Sequence, residues 1–318
     1  LTASPPDSHR QGLLPAALWW PAIRPKTLSL AAIPVLAGSA LAWSDGAARD
    51  WSVFIATLAC ALLIQAGTNL FNDARDAQSG NDGPDRLGPA RVTGGGLASP
   101  VQVERSAWVL FALALSAGVY LVVLGGWPIL AIGLAALTAG WAYSGGPRPL
   151  SHTAWGELFV VAFFGLAAVG GSYYLQGRDL TLPACLAGLA LGLHAAAVLL
   201  MNNIRDRKAD ARAGRRTLAQ VLGPDGALGL YAALLLAPFP LLAAALGPAG
   251  LGLAWGALPF CAWLAWRSRV LAPGAAMNRQ MVLTVMAQVL LGVFLALTLW
   301  MDAAQVPVPP MPAFSAAP

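Results

Sequence analysis

The sequence predicts an all-α polytopic membrane protein, with about nine transmembrane helices in two pseudo-repeated bundles around a cavity that opens to the cytoplasm. Three observations predict it. Apolar runs long enough to cross a hydrocarbon core of about 30 Å recur along the whole chain, which is 58% hydrophobic and only 10% charged with a mean hydropathy of +0.65. The basic residues fall almost entirely in alternate loops. A polar helix-end motif occurs twice, four spans apart.

Windows of about 20 residues place spans near 28–44, 52–70, 107–125, 128–144, 155–175, 183–201, 227–246, 248–266 and 281–301. Pro238 and Pro240 are expected to kink the seventh. The connections are too short for a separate soluble domain, so residues 19–303 are read as one transmembrane domain. Residues 1–18 and the Pro-rich 304–318 lack an apolar period and are expected to be mobile tails. No cleavable signal peptide is read, because the first apolar run follows a basic segment and is long enough to span. Cys60, Cys185 and Cys261 all lie in apolar spans without paired spacing, which indicates small core residues rather than a disulfide or metal site.

Of 19 Lys and Arg residues, all but Arg49 and Arg178 fall on one face of this arrangement. Lys and Arg are retained on the cytoplasmic side, so the N-terminus is expected inside, in the bacterial inner membrane; nine spans then put the C-terminus outside. The same arginines account for the pI near 9.5. Without aromatic stacking platforms or a basic domain, nucleic-acid binding is not indicated.

The stretch "NLFNDARDAQSGNDGPDRLGPAR" crowds Asp73, Asp76, Asp82 and Asp85 against the end of the second span. "MNNIRDRKADARAGRRTLAQVLG" closes the sixth, with Asn202, Asp206 and Asp210 spaced i, i+4, i+8 on one helical face. Asn72 and Asp76 repeat the first two members; Gly80 takes the third place and the next carboxylate is Asp82. Carboxylates converging at a low-dielectric boundary must spread into water, take up protons or share a cation. Oxygen ligands without His or Cys point to Mg²⁺, which prefers a few carboxylates plus phosphate oxygens. Arg75, Arg86, Arg91, Arg205 and Lys208 are placed to hold remaining diphosphate charge. Read singly, each Asp is an ordinary helix-end charge and each Arg an ordinary cytoplasmic anchor; the matched pair of motifs carries the reading.

These paired segments resemble the two Asp-rich motifs of the UbiA superfamily of intramembrane prenyltransferases, from "IRPKTLSLAAIPVLAGSALA" to the ninth span. "RPKTL", "YSGGPRPL" and "GSYYLQ" match further family stretches, and the displaced Asp82 with its D-R-x-G-P-x-R run is similar to the branch acting on 1,4-dihydroxy-2-naphthoate. The resemblance implies a UbiA-like fold and Mg²⁺-dependent ionisation of a polyprenyl diphosphate. An aromatic ring then attacks the allylic cation and carbon dioxide is lost, giving demethylmenaquinol for menaquinone biosynthesis. It also implies that Asn72, Asp76 and Asp82 form the first metal motif, with Asp73 beside them, and that Asn202, Asp206 and Asp210 form the second. Asp76, Asp206 and Asp210 are the residues expected to carry catalysis. A cavity lined by Leu, Phe and Trp is expected to shield the cation from water.

Weaker expectations attach to the loop after the fourth span. There Arg148 is a candidate for the aromatic carboxylate, Tyr143 for the cation, and Glu157 for the same wall, each against the reading of an interfacial anchor. Arg24 and Lys26 match a family stretch and equally serve topology. His194, two turns before Asn202, reads better as a hydrogen-bonded bundle histidine than as a base. A cation transporter would also place carboxylates at helix ends but would not need Arg-rich, Gly-Pro loops beside both clusters. A lipid alcohol-phosphate transferase would begin its single acidic segment with DGxxAR, which is absent. Within the superfamily, 4-hydroxybenzoate and homogentisate are the competing acceptors.

Overall fold

The computed structural model describes residues 16–79, 87–88, 91–177, 179–272, 274 and 276–305, which hold helices and no strand. In chain order these are α1 (Ala16–Ala22), α2 (Pro25–Ser44), α3 (Trp51–Gln78), α4 (Pro100–Gly125), α5 (Trp127–Ser144), α6 (Gly156–Val160), α7 (Ala168–Gly177), α8 (Leu182–Arg212), α9 (Leu218–Leu236), α10 (Pro238–Gly250), α11 (Leu258–Val270) and α12 (Met277–Gln305). A π-helical stretch, Val161–Ala167, joins α6 to α7 without a break. Helix α1 begins three residues inside the segment expected to be an N-terminal tail, and α12 runs two residues into the expected C-terminal tail, to Gln305; the rest of both lies outside the described residues.

Helix starts follow local chemistry. The Asp50 carboxylate caps α3 by accepting from the backbone N–H groups of Ser52 (2.9 Å) and Val53 (3.1 Å), and Ser99 with Gln102 forms a capping box on α4. Proline occupies the first turn of α2, α4, α5 and α8, where its missing N–H is no loss. At the expected kink α9 ends at Leu236 and α10 begins at Pro238, with Ala237 between them still at helical φ −60, ψ −28, so the two run on as one span.

Among the described residues eight helices are long and apolar enough to cross a membrane, and the chain is an integral membrane protein. The predicted span 248–266 is not one of them. A 3₁₀ segment, Gly252–Ala257, leads into α11, whose 13 residues cover only about 20 Å as an α-helix. Gly252 at φ 44 breaks the helix that an apolar count reads as continuous over 248–266, and Gly247 at φ 76 falls between that span and the seventh. This composite segment runs antiparallel to α12: Leu253 N–H donates to Thr298 Oγ1 at 3.0 Å, and Gln280 Nε2 donates to the Leu264 carbonyl at 2.9 Å.

The bundle has two distinct ends. At one, Trp43, Trp51 and Trp300 cluster with ring centroids 5.1–6.0 Å apart. There Arg49 lies over the Trp300 ring at 4.3 Å, and Gln176 Oε1 accepts from Trp43 Nε1 at 3.1 Å. Amphipathic aromatics of this kind sit at membrane interfaces. The other end gathers the helix extensions that carry both Asp motifs. Helix α3 runs eight residues past its predicted apolar span and α8 eleven, so Asn72, Asp73 and Asp76 of the first motif and all of the second ride on helix rather than on loop.

Candidate active site

A cavity of about 1430 Å³ opens between the extended ends of α3 and α8. Its polar mouth is lined by Asn72, Asp73 and Asp76 from α3 and by Asn202, Asp206 and Asp210 from α8, together with Arg24, Arg91, Tyr143, Arg205 and Arg215. The two motifs therefore share one chamber. Along α3 the wall continues from Asp76 to Thr57, a helical rise of about 28 Å. The deep walls are Leu, Ile, Val, Ala and Phe, including Phe159, Phe163 and Phe164; the expected tryptophans are absent from the described lining and sit elsewhere on the bundle.

Guanidinium groups tie the motifs together. Arg215 donates from Nη2 to Asp76 Oδ1 at 2.9 Å and from Nη1 to Asp210 Oδ1 at 3.4 Å, so one side chain bridges α3 and α8. Arg91 pairs with the other oxygen of Asp76. Arg205 donates from Nε to Asp206 Oδ1 at 2.7 Å, from Nη2 to Asn202 Oδ1 at 2.7 Å and from Nη1 to Asn278 Oδ1 at 2.7 Å. The Asn278 amide in turn donates to the Leu87 carbonyl at 2.7 Å, anchoring the loop after α3. Asp73, 2% exposed, accepts from the Thr93 hydroxyl. These pairs set arginine charge against Asp76, Asp206 and Asp210 at the low-dielectric boundary, while Asp73 is met by the Thr93 hydroxyl.

Backbone geometry sets the rim. Arg24 adopts φ 54, ψ 68 at the start of α2, a left-handed conformation rare outside glycine, and its side chain lines the cavity. Gly214, at φ 69, turns the chain after α8 so that the Arg215 N–H reaches the Asp210 carbonyl at 2.9 Å. Arg216 N–H reaches the His152 carbonyl at 2.9 Å, pinning that turn to the loop after α5. Burial, and then the Arg215 charge, hold the His152 imidazole below its ordinary pKa, so it stays neutral at pH 7 beside the arginines.

The structure brings together Asn72, Asp73, Asp76, Arg91, Arg24, Tyr143, Asn202, Asp206 and Asp210. Asp82 and Arg86 lie outside the described residues. Lys208 is exposed and Arg148 is exposed on the rim of a separate shallow groove beside α5; neither lines the cavity. Arg75 pairs instead with Glu104 at 2.9 Å on the surface. His194 is fully buried, with Nε2 3.0 Å from the Leu235 carbonyl, as a bundle histidine should be. Sequence reasoning left Arg215, Asn203, Asn278 and Thr93 without a role. The signal for Arg215 was its position five residues after Asp210; the others carried none, since their partners come from distant segments.

The donor set fits a hard divalent cation. Carboxylate and amide oxygens converge with no His or Cys beside them, and among the described residues no three acidic, His or Cys side chains close into a cage. Mg²⁺ sites commonly have this form, with one or two carboxylates and the remaining ligands supplied by water and substrate phosphate.

A profile of the UbiA prenyltransferase family matches residues 31–283. The chain belongs to the UbiA prenyltransferase family. It is 39% identical over 220 residues to the 1,4-dihydroxy-2-naphthoate octaprenyltransferase of Mycobacterium tuberculosis, covering 69% of this chain and 74% of that one. The Escherichia coli protein of the same name is 36% identical over 224 residues, covering 69% and 72%. Among solved structures, a UbiA homolog from Aeropyrum pernix K1 superposes with a TM-score of 0.63 at 18% identity, over 85% of this chain and 97% of that one. A UbiA homolog from Archaeoglobus fulgidus bound to DMAPP and Mg²⁺ gives 0.59 at 14%, over 87% and 99%. At such identities the structural likeness speaks for the fold alone.

Proposed function

We propose that this UbiA-family chain transfers a polyprenyl group from polyprenyl diphosphate to 1,4-dihydroxy-2-naphthoate, releasing diphosphate and carbon dioxide and yielding demethylmenaquinol for menaquinone biosynthesis. The observation that carries the reaction class is the single cavity that joins two Asp motifs and their arginines to a deep apolar chamber. The names of the two relatives above support the choice of acceptor.

In this reading the diphosphate sits at the mouth, where Arg91, Arg205 and Arg215 turn from carboxylate to phosphate oxygens. Asp76, Asp206 and Asp210, with Asp73 and Asp82, hold Mg²⁺, which supplies Lewis-acid stabilisation of the departing diphosphate. The prenyl C1–O bond breaks and its electron pair leaves with diphosphate. The apolar wall keeps water from the allylic cation, and the faces of Tyr143 and Phe163 are suited to stabilising it. The carboxylated ring carbon bonds to C1; loss of carbon dioxide returns that bond's electrons to the ring, so no further oxidant or proton is needed. The prenyl tail lies along the apolar walls toward Thr57. The arginine-rich mouth supports a cytoplasmic site in the inner membrane and an N-terminus inside; nine crossings, counting the composite 252–270 segment, would put the C-terminus outside.

Reconstitution with a long-chain polyprenyl diphosphate, Mg²⁺ and either 1,4-dihydroxy-2-naphthoate or 4-hydroxybenzoate tests this. Prenylated naphthol with carbon dioxide release is expected. Product from 4-hydroxybenzoate alone would overturn the acceptor, and product from neither would overturn the reaction class.

A further inference from the structure

We infer that Glu157 and Asn203 form a positioning pair that presents a fixed hydrogen-bond acceptor to a hydroxyl of the aromatic substrate. The inference rests on the proposed acceptor being a dihydroxy aromatic acid.

Asn203 lies on the cavity face of α8, one turn before Asp206 and two before Asp210, and it lines the same chamber. Its Nδ2 donates to Glu157 Oε1 at 2.8 Å. A carboxylate only accepts, so this contact turns the amide NH₂ toward α6 and leaves Oδ1 as the atom offered to the cavity. Oδ1 has no partner among the described residues, yet it is not among the buried polar atoms sealed from solvent. A group that donates a hydrogen bond is therefore what the position recognises. A substrate carboxylate would be repelled there; a ring hydroxyl would be held.

Glu157 is an expensive way to orient an amide, which argues for function rather than packing. It is 4% exposed, and its second oxygen, Oε2, is buried with no partner among the described residues. An orphaned buried carboxylate oxygen destabilises the fold, and an apolar residue would pack there without that penalty. The backbone around it is built for close contact with α8. Beginning four residues on, the helix widens into the π-helical stretch Val161–Ala167, a distortion that recurs at functional sites. A Cβ on Gly165 would fall 2.4 Å from the Gly188 carbonyl oxygen, and one on Gly192 would fall 2.8 Å from the Val161 carbonyl oxygen. The paired glycines bring the two backbones together and hold Glu157 against Asn203.

The test measures KM and kcat for 1,4-dihydroxy-2-naphthoate, for its two mono-O-methyl ethers and for polyprenyl diphosphate, in the wild-type chain, Glu157→Gln and Asn203→Leu. Melting temperature and elution in detergent establish that each variant is folded. The wild-type chain should disfavour at least one ether by tenfold or more in kcat/KM, because a site built around a hydroxyl is left unpaired by its methyl ether. Asn203→Leu keeps the bulk and removes the oxygen, so the gap should close through a higher KM for the dihydroxy acid, with the KM for polyprenyl diphosphate within about twofold of wild type. Glu157→Gln conserves volume and a partner for Asn203 in either amide orientation, so it should fold and raise the acceptor KM severalfold. A gap that survives in Asn203→Leu, or a wild-type acceptor KM in Glu157→Gln, overturns the inference and leaves the proposed reaction standing. Equal losses for both substrates in both variants would mark a structural role and overturn it too. A wild-type chain that prenylates no dihydroxynaphthoate overturns the acceptor reading and this inference with it.

Discussion

At the residue scale, the site is a problem of excess charge solved twice over. Asp76 is 9% exposed and takes guanidinium groups on both oxygens, from Arg91 and Arg215. Asp206 meets Arg205, which is itself fixed by Asn202 and Asn278. Such pairs hold Asp76, Asp206 and Asp210 against arginines without ligand and leave those arginines within reach of an incoming diphosphate. Asp76→Asn and Asp206→Asn should each lower Mg²⁺-dependent turnover by about a hundredfold or more, the usual penalty for removing one key stabilising group from a preorganised site. Both variants should elute as folded protein in detergent; full activity in either would remove that residue from the metal site. Asp76 and Asp206 were legible from the repeated Asn-x-x-x-Asp pattern, because i, i+4 spacing fixes a common face on any helix. Asn203 was not, because its partner Glu157 lies 46 positions away, and Arg215, though five residues after Asp210, gives no local sign that it also reaches Asp76, 139 positions away.

At the element scale, the helices do more than cross the bilayer. Helix α3 carries Asn72, Asp73 and Asp76, and helix α8 carries Asn202, Asp206 and Asp210, on α-helix that continues to Gln78 and Arg212, so these side chains are presented at fixed angles. Small residues let α8 approach the π-helical stretch, which is how helices associate where lipid supplies no hydrophobic drive. Gly165→Ala puts a methyl group into the backbone of α8 rather than against a yielding side chain. It should destabilise the protein by about 1–3 kcal/mol, read as a lower melting temperature in detergent. An unchanged melting temperature would show that the helices part without penalty. Gly252 acts oppositely, interrupting the predicted eighth span with left-handed backbone, while Gly247 at φ 76 falls between that span and the seventh. Hydropathy counts apolar residues and is blind to φ, so the span was expected as one helix and found as two pieces.

At the scale of the whole molecule, binding and folding are separable. Arginines of the same chain already balance Asp76, Asp206 and Asp210, and the core lies among apolar helix faces, so the fold is expected to stand without a cation. Chelation should therefore abolish turnover while leaving the melting temperature within about 2 °C of the untreated protein, since only a ligand bound to the native state raises apparent stability. A large drop in melting temperature on chelation would instead indicate a structural metal. The cavity's length along α3, about 28 Å by helical rise, from Asp76 to Thr57, suits a substrate with one highly charged end and one long apolar tail.

The sequence by itself determined that this is a helical membrane protein, which end of the bundle carries the charge, and which carboxylates face one another across it. Length, hydropathy and helical spacing are local properties, and each of these conclusions follows from one of them. Only the tertiary structure decided which cations meet those carboxylates, that Lys208, Arg148 and Arg75 stand away from the cavity, that the deep walls are aliphatic and phenylalanine rather than tryptophan, and that Glu157 reaches Asn203. Some of those pairings are local, as Arg205 with Asp206 is, but Glu157 with Asn203 and Asp76 with Arg215 join residues 46 and 139 positions apart, and they exist because close helix packing brings the side chains together.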